Sequence, residues 1–294
     1  MKSIQHDNSS PFRILQFTDL HLRDIDTDAI TFQLMEDLIQ QEQPHFVICT
    51  GDHTMSSSSP SLYAKLTSFL NQQEVAWTLV FGNHDTDYGV DYQTLMNQIQ
   101  RGPFCLFDHE TDPSLGYGNH VIQIVSPNQK VQALLFCLDS HVDQFYPING
   151  ERTWGYSTIN PGQIEWVQSI LDTTQLDSNG SSLYFFHIPI LEFTQIEGKH
   201  FIDGAMLESI SAAPISYGFF DLLVREPSSK GCFVGHDHYN DFSFEHQGIL
   251  LAFGRVSGQY DYRDISMKRG ARLITLENNQ MHSKLVDWKP VIWE

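Results

Sequence analysis

Short apolar runs alternate with stretches whose apolar residues recur at helical spacing over the first third of the chain. Phe12–Phe17 (FRILQF) predicts a strand, and Ile30, Leu34, Met35, Leu38 and Ile39 predict a helix. Residues 46–49 (FVIC) predict a second strand, Leu62, Leu66, Phe69 and Leu70 a second helix, and residues 75–81 a third strand. Strand, helix, strand, helix, strand is the pattern of a crossover-connected sheet. Such sheets gather functional groups outside the carboxyl ends of their strands.

The middle of the chain is richer in strand patterns. Residues 121–125 and 131–138 predict a strand pair joined around Pro127-Asn128. Asn160, Pro161 and Gln163 spell a helix start, with Asn160 as N-cap, Pro161 in the first position and Gln163 closing a capping box. Ile164, Val167, Ile170 and Leu171 then form its buried face. Residues 183–186 and 232–234 predict further strands, and 242–285 mostly short strands. Residues 1–10 read as a polar tail and the serine run at 56–59 as a loop. With no internal repeat and no long linker, the expectation is an α/β protein, one domain over residues 1–294, with two sheets face to face.

Composition narrows the function classes. At 294 residues and 41% hydrophobic, the chain can bury a substantial core. No apolar run is long enough for a membrane span, and the first ten residues lack the apolar stretch of a secretory leader, so a cytoplasmic protein is expected. Cys49, Cys105, Cys137 and Cys232 are scattered, mostly within apolar runs, and read as buried thiols. Seventeen basic against 36 acidic residues leave a formal charge of −19, which argues against long nucleic acid or an anionic membrane as partner. A phosphate ester is compatible with that charge where bound cations reverse the local field.

Five segments carry the chemistry: Asp19-Leu20-His21, Gly51-Asp52, Gly82-Asn83-His84-Asp85, His187 within Phe186-His187-Ile188-Pro189, and Gly235-His236-Asp237-His238. Each follows an apolar run. Two divalent ions close together need several oxygen and imidazole ligands, with one carboxylate shared. Asp19 and His21 can turn toward one ion if the chain bends there. Gly51 lets the backbone turn sharply and frees Asp52 to reach across both ions. Asn83 offers a carbonyl oxygen. His236 and His238, two apart, share a side of an extended segment. Taken singly, each segment is common; together and in order they specify a metal site.

In this pattern the chain resembles the calcineurin-like metallophosphoesterase superfamily, over roughly residues 12–277. The resemblance implies a four-layer α/β/β/α sandwich. It implies that Asp19, His21, Asp52 and His238 hold one metal, and Asp52, Asn83, His187 and His236 the other, with Asp52 bridging. The segments at 81–85, 138–140, 235–241 and 254–258 are similar to the single-domain, purple-acid-phosphatase-like (Dcr2-type) branch. Met55 stands where purple enzymes carry a ferric-binding tyrosine, and His21 where they usually carry glycine. Two divalent ions drawn from Mn, Fe, Zn or Ni are therefore expected rather than a tyrosinate-bound ferric centre.

The expected chemistry is phosphoester hydrolysis, with a water activated between the ions attacking phosphorus in line. His84, by family analogy not a ligand, protonates or hydrogen-bonds the substrate oxygen, and Asp85 is expected to orient it. Arg255 and Tyr239 are candidate substrate contacts, although a surface salt bridge is weighed ahead of that role for Arg255. Tyr260 and Tyr262 are expected to pack rather than to bind. A phosphomonoesterase on a small molecule or phosphoprotein is the leading expectation. A phosphodiesterase on small nucleotides or glycerophosphodiesters, and a non-catalytic scaffold, are the alternatives. The sequence leaves the natural substrate, the metal pair and the oligomeric state open.

Overall fold

The computed structural model describes residues 1–7, 9–99, 101–109, 112–263, 267–277 and 280–289. In chain order the first elements are β1 (Lys2–Gln5), β2 (Phe12–Phe17), α1 (Thr27–Glu42), β3 (Phe46–Thr50), α2 (Ser59–Gln72), β4 (Ala76–Val80) and α3 (Tyr92–Gln98). Then come β5 (His120–Val125), β6 (Val131–Cys137), β7 (Asp143–Ile148), β8 (Glu151–Tyr156), α4 (Pro161–Thr173) and β9 (Leu176–Phe185). The chain continues through α5 (Phe219–Arg225), β10 (Ser229–Val234), β11 (Ser243–His246), β12 (Ile249–Phe253), β13 (Gly270–Glu277) and β14 (Gln280–Asp287).

One sheet runs β14-β13-β2-β3-β4 and the other β1-β5-β6-β9-β10-β12-β11, while β7 and β8 form a separate hairpin. β2, β3 and β4 are parallel neighbours, as the crossover pattern predicts. β6, β9, β10 and β12 are likewise parallel. Alternation along each strand decides which core a residue joins. Leu15, Phe17, Val47 and Cys49 share a core with Leu34, Leu38, Leu62 and Leu66 of the two first helices. Their neighbours Phe12, Ile14, Phe46 and Ile48 share a second core with Ile122, Leu135, Leu183 and Phe233 of the other sheet. On that sheet's far face Phe136, Tyr184 and Cys232 join Val167 of α4 and Leu222 and Leu223 of α5. Three cores between helices, sheet, sheet and helices make the α/β/β/α sandwich.

The capping box of α4 forms as expected. Gln163 N donates to Asn160 Oδ1 at 2.9 Å, and Asn160 N to Gln163 Oε1 at 2.8 Å. Two expectations need correction. Ile30 is exposed, because the buried arc of α1 runs through Thr31, Leu34, Met35 and Leu38 and leaves it outside. Residues 1–10 are not simply a tail, since β1 pairs in parallel with β5 at the sheet edge. Lys2 Nζ donates to the carbonyls of Cys105 and Phe107. Backbone pairing needs no side-chain pattern, so Lys-Ser-Ile-Gln carried no signal for it. All four thiols are buried and unpaired. Among the described residues no helix is long and apolar enough to cross a membrane.

Candidate metal centre

All five segments sit just past the carboxyl ends of parallel strands: β2, β3 and β4 from one sheet, β9 and β10 from the other. Gln16 ties the two sheets beneath them, donating to Thr50 Oγ1 at 2.8 Å and to the Val234 carbonyl at 3.0 Å. The chain leaves the strands through left-handed backbone at Asp19 (φ 53°), His21 (φ 43°), Asp52 (φ 51°) and His236 (φ 80°). That region is disfavoured for non-glycine residues and costs on the order of 1–3 kcal/mol at each. It turns polar side chains inward immediately after each strand.

Two groups of buried side chains result. Ligand-type atoms of Asp19, His21 and His238 lie within 4.8 Å of one another, as do those of Asp52, His187 and His236. Asp52 stands between the groups: its Oδ2 is 3.1 Å from His187 Nε2 and 3.5 Å from His21 Nε2. Its Oδ1 accepts from the His84 backbone N–H at 2.8 Å. His187 Nδ1 faces the Thr50 carbonyl at 2.8 Å, which turns Nε2 toward Asp52. Gly51 (φ 87°) makes room for that ring, because a Cβ there would fall 2.4 Å from His187 Nδ1.

Several buried polar atoms in this space lack a hydrogen-bond partner: Nδ1 of His21 and His238, both ring nitrogens of His236, and Asn83 Oδ1. Leaving such an atom unsatisfied costs about 1–3 kcal/mol, so their concentration here calls for a ligand. Burial pushes His21 and His236 down to about 3, so both present neutral lone pairs. Burial opposes ionisation of Asp19, but His238 and His187 outweigh it and hold the carboxyl down to about 2. Burial also disfavours a proton on His187, yet Asp52 and Asp19 lift it to about 10. The carboxylates thus demand positive charge at the centre, and the donor set of imidazole, carboxylate and amide oxygen fits a pair of divalent ions.

The sequence pattern of the calcineurin-like phosphoesterase family matches residues 12–240, which include all five segments. The chain belongs to that family. It is therefore a metal-dependent phosphoester hydrolase, and the family implies a dinuclear metal centre. This phosphoesterase is 27% identical to a probable inactive purple acid phosphatase 29 of Arabidopsis thaliana, across 95% of its own chain and 80% of the relative. It is 28% identical to phosphatase DCR2 of Saccharomyces cerevisiae, across 81% of its own chain and 46% of that protein. In fold it is similar to a dimetal phosphatase from Danio rerio, with TM-score 0.63 and 14% identity, covering 94% of this chain and 96% of that one. It is also similar to purple acid phosphatase PPD1 from yellow lupin, with TM-score 0.57 and 12% identity, covering 96% of this chain and 54% of that one.

Around the centre the phosphoesterase opens a cleft of about 340 Å³, whose lining includes His84, Met55, Tyr156, Tyr260, Tyr262 and Arg263. His84 is partly exposed, with its Nδ1 2.8 Å from Asp87 Oδ2. Burial works against its protonation, but Asp52 and Asp87 prevail and raise its pKa.

The Asp85 expectation is corrected here. Its carboxylate is fully buried and accepts from the backbone N–H groups of Gly82 (2.8 Å), His53 (2.8 Å) and Thr54 (3.1 Å). It also faces His53 Nδ1 at 3.1 Å. In the turn that carries His84, the following residue points away while the one three further on returns to the same side. Asp87, and not Asp85, therefore stands against the His84 ring.

Arg255 and Tyr239 are corrected too. Arg255 is buried and engaged by Asp241, at 2.7 Å from Nε, and by Asp287. Tyr239 is fully buried, its hydroxyl donating to the Arg263 carbonyl at 3.0 Å. The cleft presents Arg263 instead, with Tyr260 and Tyr262, whose rings also pack against His21 and His238. Asp87 could have been found from its i+3 spacing to His84. Tyr156, Glu208 and Arg263 lie on β8 and in loops without any local pattern, so only the folded chain brings them in.

Proposed function

We propose that this phosphoesterase hydrolyses phosphomonoesters, carried by a small molecule or a phosphoprotein. The placement of Asp52 between the two groups of imidazoles carries the reading. In it, Asp19, His21, Asp52 and His238 hold one divalent ion, and Asp52, Asn83, His187 and His236 the other. When bound, such an ion pair supplies Lewis acidity toward the phosphoryl oxygens and acidifies water. His84 uses Nδ1 to engage Asp87 and keeps Nε2 for the leaving oxygen, to which it delivers a proton. Asp87 holds the ring in place and favours its charged form. Met55 offers a thioether to the cleft and no phenolate, which supports divalent Mn, Fe, Zn or Ni. Four buried, unpaired thiols support a reducing, cytoplasmic setting.

Three plant relatives carry "probable inactive" in their names. In this chain every ligand position is filled and His84 opens to the cleft, which supports turnover. Metal analysis, together with hydrolysis of p-nitrophenyl phosphate and its bis ester in added Mn, tests the proposal. Two bound ions and preferred cleavage of the monoester are expected. Preference for the bis ester would reverse the substrate class, and two bound ions with both esters inert would count against the monoesterase reading.

A further inference from the structure

Tyrosine rings stand at both ends of the proposed ion pair. The Tyr156 ring, at the end of β8, lies 4.3 Å from the His236 ring, in the second group of ligands. At the first group, Tyr260 lies 5.4 Å from His21 and Tyr262 lies 4.7 Å from His238. All three rings line the cleft. Two have further partners: the Arg23 guanidinium sits 4.8 Å from the Tyr260 ring centre, and the Tyr262 hydroxyl donates to Glu208 at 2.7 Å. Rings this close to the ligand imidazoles would be in reach of a group carried directly on the ester oxygen of a bound substrate. A nucleoside 5′-phosphate carries its base further out, past the sugar, and an alkyl ester offers no flat face. Planar groups gain from offset or edge contact with such rings, at roughly three- to tenfold per ring.

We infer that the cleft selects phosphomonoesters whose ester oxygen is borne directly by an aromatic ring, as in a phosphorylated tyrosine side chain, with Tyr156 and Tyr260 as its walls. The inference rests on the monoesterase reading and names its substrate class.

The test uses the full chain loaded with Mn, and phenyl phosphate, glycerol 2-phosphate and adenosine 5′-monophosphate as substrates. Tyr156→Leu and Tyr260→Leu should each lower kcat/KM for phenyl phosphate about three- to tenfold more than for glycerol 2-phosphate. Tyr156→Phe and Tyr260→Phe should recover most of that difference. In calorimetry, phenylphosphonate should bind the wild-type protein about tenfold more tightly than methylphosphonate, and the Leu variants should lose the preference. Comparing each substrate with itself across variants removes differences in intrinsic leaving-group reactivity. Equal losses on all substrates, a larger loss on the nucleotide, or no phosphonate preference in the wild type would overturn the inference. Absent turnover with an intact phosphonate preference would instead sink the monoesterase reading and leave the aromatic slot standing.

Discussion

His84 Nδ1 stands 2.8 Å from Asp87 Oδ2, three residues along the same turn. This contact orients the His84 ring, and in the proposed function its other nitrogen serves the substrate. His84→Ala should keep both metals and lose activity by roughly 10²- to 10⁴-fold. Asp87→Asn weakens a pair whose two groups are each about one third exposed, worth about 0.2–1 kcal/mol, so a loss of up to about fivefold is expected. Both losses should be larger with phenyl phosphate than with p-nitrophenyl phosphate, whose leaving group needs little protonation. Loss of metal from His84→Ala would show that a ligand has been misassigned.

Asp85 should behave differently. Its carboxylate accepts three backbone N–H groups that join the loop after β3 to the loop after β4. Asp85→Asn turns a donor group toward one or more of them, and each orphaned N–H costs about 1–3 kcal/mol. Urea unfolding should show a loss of this size together with weakened metal binding, while Asp87→Asn unfolds close to wild type. A stable Asp85→Asn protein defective only toward poor leaving groups would restore the role first expected of Asp85.

Asp52 Oδ2 lies between His187 and His21, and in the proposed function it is shared by both ions. Asp52→Asn should bind fewer than two ions by metal analysis and lose nearly all turnover. Gly51→Ala should displace the His187 ring, since the new methyl would meet it at 2.4 Å, and lower metal occupancy as well. Chelation should abolish activity and lower the unfolding free energy, by about 4 kcal/mol for each ion whose free concentration had stood a thousandfold above its dissociation constant. Full loading and activity in Asp52→Asn would contradict the bridge.

His120 provides a pH dependence away from the centre. It is buried at the start of β5, with Nε2 2.7 Å from Thr78 Oγ1 and Nδ1 2.7 Å from the Gly118 carbonyl. Burial pushes its pKa from 6.5 down to about 4. Between those values the unfolded chain binds the proton and the folded chain does not, so stability rises with pH. The contribution is complete above 6.5 and is lost as pH falls toward 4, by up to about 3 kcal/mol. In chelated protein, the loss of urea resistance between about pH 7.5 and about pH 5 should be smaller in His120→Gln than in wild type. Identical pH profiles for the two proteins would remove His120 as a cause.

The sequence alone determined the strand–helix alternation of residues 12–81, the capped start of α4 and the five polar segments at strand ends. Those features rest on local periodicity and on residue types that few other chemistries need together. It did not reveal β1, whose pairing with β5 is made by backbone groups common to every residue. It also set Asp85 against the His84 ring and Tyr239 in the pocket, and the folded chain does neither. Adjacency in the chain does not say which way a side chain leaves a turn, nor which partner reaches it from the other sheet. Asp85 turns into the core, Arg255 meets Asp241 and Asp287, and Tyr156 comes to His236 from a separate hairpin. Only the packing of the two sheets face to face, with their carboxyl ends brought together, settles those directions, because each depends on contacts between residues far apart in the chain.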